Sequence, residues 1–185
     1  MGSGAEWRLP VQTGAVWLDL VATVSKAYGA APIERLHSAG RYATWLADEG
    51  LRPDTAPTGA DLAAARELRE ALRRLALATL AGQPWAAADV AAVNRALAAD
   101  RPLALETSGA VRPPGTAAEA LARIARRAAE DLAGPAAATL GRCADTECGM
   151  LYLDPAGRRR WCSAELCGVR NRVRAHRRRL QQPAP

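Results

Sequence analysis

All four cysteines of this 185-residue chain lie in one short segment, and their spacing is regular. Four residues separate the members of each pair, and thirteen residues lie between the pairs; the positions are Cys143, Cys148, Cys162 and Cys167. Thiolates are favoured ligands of Zn²⁺, and four of them complete its tetrahedral coordination. The spacing therefore predicts one zinc ion, which is structural because a closed site has no position left for water or substrate.

Two other arrangements of the cysteines compete with this one. Two disulfide bonds would require an oxidising compartment, and residues 1–10 have neither the basic nor the apolar run of a secretory signal. Unrelated core cysteines would not be expected to cluster so tightly. No enzyme is expected either, because two histidines and four committed cysteines leave no catalytic set, and no phosphate-binding glycine loop is present.

The residues around the cysteines predict a small treble-clef-like finger. Residues 150–154 have the composition of a strand, 154–157 that of a turn, and 158–161 that of a returning strand. Ser163 is placed to cap a helix that carries Cys167 in its first turn. A piece of about 40 residues has too little core to fold alone, so the metal would supply the missing stability.

Positive charge is concentrated in the same part of the chain. Residues 141–185 contain ten arginines and four acids, whereas cations and anions balance over residues 1–140, so the tail carries the whole net charge of +6. We expect the arginines to be unpaired and to bind the phosphates of nucleic acid, the alternative being a solvated helix face, which usually mixes the two signs of charge. The predicted nucleic-acid-binding residues are Arg158, Arg159, Arg160, Arg170, Arg172, Arg174, His176, Arg177 and Arg178.

The first 134 residues predict a mostly helical domain. Helical spacing of apolar residues predicts helices over 39–49, 61–81 and 87–98, and a capping motif at Thr116 starts another that ends at Leu132. The apolar stretch 15–24 leaves strand and buried helix open, and alternation around Ser108-Gly109 predicts a hairpin.

The predicted architecture is mainly α with a small β-hairpin (α+β), a helical N-terminal domain followed by the zinc finger. We expect a flexible arm over 1–12, the helical domain over 13–134, a linker over 135–142 and the finger over 143–182.

The segment from Cys143 to Arg179 resembles the CGNR zinc finger, and the preceding part resembles the ABATE domain that accompanies it in bacterial stress-induced transcription regulators. The pieces that carry the second resemblance are WLDLVATV, RELREALRRLALATLAGQP, VNRALA and LARIARRAAEDLAGP. The resemblance implies a Zn²⁺ held by the four cysteines and DNA binding through the basic C-terminal helix. The chain departs from the pattern at Val169 and Ala22, where the family usually has Asn, and in a shorter hairpin tip.

These observations predict a DNA-binding transcription regulator that places its basic helix on duplex DNA. One short finger contacts few base pairs, so we expect a homodimer that binds two half-sites, with the helical domain as a dimerisation or effector-sensing module. Candidate residues for binding an unknown small-molecule effector are Trp17, Asp19, Arg41 and Trp45, although both tryptophans would also suit the core.

Two alternatives of other classes remain open. One is a zinc-stapled protein–protein adaptor whose basic helix binds an acidic partner. The other is an RNA-binding module, although the finger has only Tyr152 and Trp161 for base stacking. No membrane partner is expected, because the chain has no run of about 20 apolar residues. The expected location is the bacterial cytoplasm, on the nucleoid when bound to DNA.

Overall fold

Six α-helices and two short antiparallel strand pairs form the part of the chain described by the computed structural model, residues 13–181 without the side chains of Arg178 and Gln181. The predicted arm over 1–12 and the last predicted finger residue, Gln182, lie outside it. The helices are α1 (Val16–Ala22), α2 (Ala39–Asp48), α3 (Gly59–Leu80), α4 (Ala87–Leu97), α5 (Ala117–Ala133) and α6 (Val169–Gln181). The strands are β1 (Val24–Ser25), β2 (Ile33–Glu34), β3 (Leu140–Arg142) and β4 (Leu151–Leu153). The mainly α fold with small β elements is confirmed.

Helix α3 is the centre of the helical domain. Thr58 caps it, because its hydroxyl accepts a hydrogen bond from the Asp61 N–H while the Asp61 carboxylate accepts one from the Thr58 N–H. Helices α1, α2, α4 and α5 all pack against it. Its buried apolar residues follow the helical repeat: Leu62, Ala65, Leu68, Ala71, Leu72, Leu75 and Ala76.

The apolar stretch 15–24, which the sequence left open, forms a buried helix and then a strand. Five of the seven α1 residues are buried, and β1 begins after one intervening residue and pairs with β2. The predicted hairpin around Ser108-Gly109 is reduced to a single antiparallel bridge between Leu105 and Val111. Gly109, with φ of 82°, supplies the turn between them.

The strand pairing of the finger differs from the prediction. Strand β4 pairs with β3, in the register Leu140–Leu153, Gly141–Tyr152 and Arg142–Leu151, and not with residues 158–161. The segment expected as a linker, 135–142, is therefore a 3-10 turn followed by a strand. Residues 158–161 do not pair as a strand, because side chains already satisfy the backbone groups of Arg159. Its N–H donates to the Asp154 carboxylate at 2.6 Å, and its carbonyl accepts a hydrogen bond from the Tyr152 hydroxyl at 2.9 Å.

The finger is packed onto the helical domain and shares its core. Leu140 and Leu151 belong to the same buried cluster as Trp17. The Leu153 N–H donates to the Thr13 carbonyl at 2.7 Å, which ties the finger to the first described residue.

A buried arginine joins the two parts directly. The Arg73 side chain, on α3, is 8% exposed. It donates to the carbonyl of Val21 at 2.8 Å and to that of Gly149 at 3.3 Å. The first carbonyl is in α1 and the second is in the loop between the first cysteine pair and β4, so one guanidinium satisfies acceptors on both sides of the junction.

The substitution Arg73→Gln tests this junction. It leaves the two buried carbonyls without their charged donor, so we expect the free energy of unfolding to fall by about 3 kcal/mol. Urea denaturation of the zinc-loaded protein measures it. In the control Arg95→Gln, whose side chain is 61% exposed and pairs with Glu67, the loss should stay below about 1 kcal/mol. Similar losses in both variants would contradict the role assigned to Arg73.

Candidate metal centre and nucleic-acid interface

The first cysteine pair lies in the turn of the β3–β4 hairpin. The Cys143 N–H donates to the Met150 carbonyl at 2.9 Å, and the Cys148 N–H closes the turn by donating to the Asp145 carbonyl at 3.0 Å. Gly149 then takes φ of 71°. A Cβ there would lie 2.8 Å from atoms of both Ala27 and Tyr28, so the close approach of the helical domain requires glycine.

The second cysteine pair lies at the beginning of the last helix. One π-helical turn, Ala164–Gly168, precedes α6. As predicted, Ser163 caps it: its hydroxyl accepts a hydrogen bond from the Leu166 N–H at 3.2 Å. Its carbonyl accepts one from the Gly168 N–H at 3.0 Å. This turn places Cys167 beside Cys162, with their sulfur atoms 3.6 Å apart.

The four thiols fit a tetrahedral zinc ion. All four are buried, and their sulfur atoms lie within 4.8 Å of one another. The Cys148 and Cys162 sulfurs are 3.6 Å apart, close to the edge of about 3.8 Å of a tetrahedron with Zn–S bonds of about 2.3 Å. A disulfide would bring two sulfurs to about 2.0 Å, and all four cysteines are free. The chain therefore carries a site for one structural zinc, as predicted.

The effects of the four thiols on one another's pKa values also favour a bound cation. Hydrogen bonds from the Cys148 and Cys162 thiols lower the pKa of Cys143 to about 2. Hydrogen bonding with Cys143 raises the pKa of Cys148 and of Cys162, and burial raises the pKa of Cys167 to about 12. One thiolate is thus stabilised at the expense of its neighbours. A divalent metal removes this conflict, because it stabilises all four thiolates together.

The helical domain completes the packing around the cysteines. Ala22, at the end of α1, belongs to the same buried cluster as the four cysteines, Met150 and Tyr152. The N–H groups of Ala27 and Tyr28 donate at 3.3 Å to the carbonyls of Cys148 and Glu147. The departure at Ala22 therefore puts a methyl group against the metal site, where it can offer no polar contact.

Two of the arginines predicted to bind DNA hold α6 against the first cysteine pair. Asp145 has a fully buried side chain, and it accepts hydrogen bonds at 3.2 Å from Arg170 and from Arg174. Arg174 also donates to Glu147 at 2.8 Å. The expectation of unpaired arginines is wrong at these two positions, because acids 25 or more residues earlier in the chain fold back onto the helix.

The other predicted DNA contacts occupy different environments. Arg158, Arg160, Arg172, His176 and Arg177 are exposed. The Arg160 guanidinium lies 4.9 Å from the centre of the Trp161 ring. Arg159 stacks on the Tyr152 ring at 4.2 Å and donates to the Cys162 carbonyl at 2.6 Å, so it braces the loop before the third cysteine. Arg178 lies in α6, and its side chain is outside the described part of the structure.

The predicted effector residues do not form a common pocket. Trp17 and Trp45 belong to the hydrophobic core, where the Trp17 indole N–H donates to Asp131 at 2.8 Å and Trp45 stacks against Tyr42. Asp19 accepts a hydrogen bond from the Thr13 hydroxyl at 2.8 Å, and burial raises its pKa. Arg41 is half-buried at the beginning of α2.

A cavity of about 230 Å³ lies elsewhere, between α3, α4 and α5. Alanines make up much of its wall, and the ion-paired side chains of Glu67 and Arg95 also line it. None of the four predicted effector residues lines it.

No helix in the range 13–181 combines the length and hydropathy that crossing a membrane would require.

Sequence reasoning missed Asp145 and Arg73. Asp145 had a detectable signal, because it is one of four acids in a strongly basic segment and lies between the first two cysteines. Arg73 had none, because it looks like any other charged residue of an amphipathic helix.

The substitution Cys162→Ser tests the metal site. We expect about one zinc per chain in the parent protein and close to none in the variant, because three thiolates and a hydroxyl no longer satisfy the ion. Elemental analysis of the purified proteins measures the content. Ala164→Ser, which adds a hydroxyl nearby without removing a ligand, should keep the full content. Retention of zinc by Cys162→Ser would refute the four-thiolate assignment.

The substitution Asp145→Asn tests the clamp on α6. The amide cannot accept two charge-assisted hydrogen bonds as the carboxylate does, so the α6 amides should exchange hydrogen faster while zinc content stays near one. Mass-spectrometric hydrogen exchange resolves the helix from the rest. Glu130→Gln, which neutralises an exposed acid of α5, is the control and should leave the exchange of the α6 amides unchanged. Unaltered protection of α6 in Asp145→Asn would exclude the clamp.

Two family models match this chain. ABATE, described as "Putative stress-induced transcription regulator", matches residues 14–135, and the CGNR zinc finger matches residues 139–180. The second match begins just before β3, in agreement with the pairing of β3 with β4. A search of curated protein sequences finds no significant match. Because the first model covers more than half of the chain and the second covers the cysteine cluster, the protein belongs to the ABATE family and carries a CGNR zinc finger.

Proposed function

We propose that this protein is a DNA-binding transcription regulator and that α6 is the element placed on duplex DNA. The observation that carries the proposal is the set of exposed arginines on a helix whose position is set by the zinc site and by Asp145. Arg172, Arg177 and Arg179 are exposed, and α6 contains no acid that could pair with them. Guanidinium groups held together in this way suit neighbouring phosphates.

The paired arginines act differently in this proposal. Arg170 and Arg174 hold α6 at a defined angle to the finger, and the exposed arginines make the phosphate contacts. Binding to phosphate needs no refolding, since the helix is already in place, and the ordering cost of the helix does not oppose association.

The packing of the aromatic residues disfavours the RNA-binding alternative. Single-stranded RNA recognition depends on exposed aromatic rings on which bases stack. Tyr152 is 2% exposed and lies beneath Arg159, and Trp161 is half-buried beneath Arg160. Both rings are therefore covered, whereas contacts to a duplex backbone do not require them.

The helical domain is the proposed dimerisation or effector-sensing module. A homodimer would supply the second half-site that a single finger lacks. The cavity between α3, α4 and α5 is smaller than the 300–1,000 Å³ usual for drug-sized ligands, so an effector bound there would be a small molecule. Loop 26–28, which touches the first cysteine pair, offers a route from this domain to the finger. The proposed location is the cytoplasm, with nucleoid association when bound.

The double substitution Arg172→Gln/Arg179→Gln tests the DNA interface. Full-length zinc-loaded protein should bind random-sequence duplex DNA, with an affinity that falls as salt rises. Loss of two phosphate contacts should reduce the slope of log K against log salt by about two. Fluorescence anisotropy over a salt series measures it.

The matched control is Arg52→Gln, which neutralises an exposed arginine of the helical domain and should leave the slope unchanged. An unchanged slope in the double variant would show that these side chains do not reach phosphates. Absence of binding to duplex DNA even at low salt would favour the adaptor function.

A further inference from the structure

Helix α6 and the turn before it expose a row of apolar side chains. Leu166 is 37% exposed, Val169 and Val173 are each 43% exposed, and Leu180 is 73% exposed. Their spacings of three, four and seven residues place them along one side of the helix. We call this row the apolar stripe. A continuous exposed row of this kind on a polar helix is typical of a binding surface.

Arginines border the apolar stripe on both sides. Helical geometry at 100° per residue puts Arg172 and Arg179, seven residues apart, on one side of it, and puts Arg177 on the other, next to the row of Arg170 and Arg174. The last two are turned to Asp145. The apolar stripe therefore lies between Arg172 and Arg179 on one side and Arg177 on the other, all of them exposed.

We infer that the apolar stripe faces the base edges in the major groove and reads the C5-methyl groups of thymine, an inference that rests on the proposed DNA binding. The major groove is about 12 Å wide and admits one α-helix. A helix lying in it has phosphates on both sides, where α6 has arginines, and bases in front, where α6 has valine and leucine. The thymine methyl is the apolar group that bases present in this groove, and side chains without donors or acceptors recognise it by contact.

Charge favours DNA over a second copy of this chain as the occupant. Pairing two apolar stripes would bring the exposed arginines that border them in both copies together, and α6 contains no acid to compensate these charges. Duplex DNA supplies compensating charge on both sides of the groove and buries the same apolar atoms. The recognised sequences are accordingly those with thymine methyls at successive positions, A·T-rich sites.

The test removes or adds the C5-methyl group of the pyrimidines and leaves the hydrogen-bonding groups of the bases in place. Fluorescence anisotropy would compare four duplexes of equal length: alternating dA·dT, the same duplex with uracil for thymine, alternating dG·dC, and the same duplex with 5-methylcytosine for cytosine. Full-length zinc-loaded protein should bind the thymine duplex more tightly than the uracil duplex, by about fourfold for each methyl buried. It should likewise prefer methylated to unmethylated dG·dC.

The substitution Val173→Ser should lower the thymine-to-uracil affinity ratio by about fourfold, the share of one buried methyl, without altering the salt slope. Val111→Ser is the matched control, because Val111 is 45% exposed on the hairpin of the helical domain, and this variant should keep the parent ratio. Zinc content and helicity establish that both variants are folded. The comparison among the four duplexes needs no variant at all.

Salt-dependent binding of equal strength to all four duplexes would overturn the inference and leave the proposed DNA binding intact. Failure to bind any duplex would remove both. Two further results would assign the apolar stripe to another occupant and overturn the inference. One is a parent dimer that Val173→Ser converts to a monomer in sedimentation while the four affinities stay equal. The other is binding to phosphatidylglycerol vesicles that Val173→Ser abolishes while the four affinities stay equal.

Discussion

Four buried sulfur atoms cannot all be ionised unless a divalent cation lies between them, and the arrangement of the C-terminal part depends on this constraint. The β3–β4 hairpin supplies two of the sulfurs, Cys162 just before the cap residue Ser163 supplies the third, and Cys167 in the capped turn supplies the fourth. Cys167 lies two residues before the first residue of α6, so satisfying the metal also sets where the helix begins. The bonds from Arg170 and Arg174 to Asp145 then set its direction. Metal binding and helix placement are therefore one structural event.

Arginine has two opposite roles in this protein. In α3, Arg69 and Arg73 are buried and fully engaged: Arg69 bonds both oxygens of Glu34, and Arg73 bonds backbone carbonyls on both sides of the junction. On α6 the outer arginines have no acid on their own helix. A planar guanidinium with five donors suits both situations, because it can satisfy several carbonyls when buried and a phosphate when exposed. The near-absence of lysine fits this double use.

The sequence predicts the metal site well, because four cysteines at regular spacing are a local signal that can be recognised without knowing the rest of the fold. Helix bounds were also close, since caps and apolar repeats are local signals. The predicted partner of β4, residues 158–161, was wrong. The true partner β3 is only Leu-Gly-Arg, and three residues are too few to show an alternation of apolar and polar side chains. The pairing of Arg170 with Asp145 joins residues far apart in the chain, and no local pattern encodes it. Trp17 and Trp45 fill the core because their rings supply the volume that a chain without phenylalanine needs.

Packing of the finger into the helical core bears on how the chain is made. Leu140 and Leu151 fill the same core as Trp17, and Leu153 is hydrogen-bonded to Thr13. During synthesis, an N-terminal segment normally folds once its own residues have left the ribosome. Here the first helix cannot bury its surface fully until β4 has emerged, and by then both cysteines of the hairpin have emerged as well. The nascent chain thus reaches its complete core and its first pair of thiol ligands at nearly the same moment of translation.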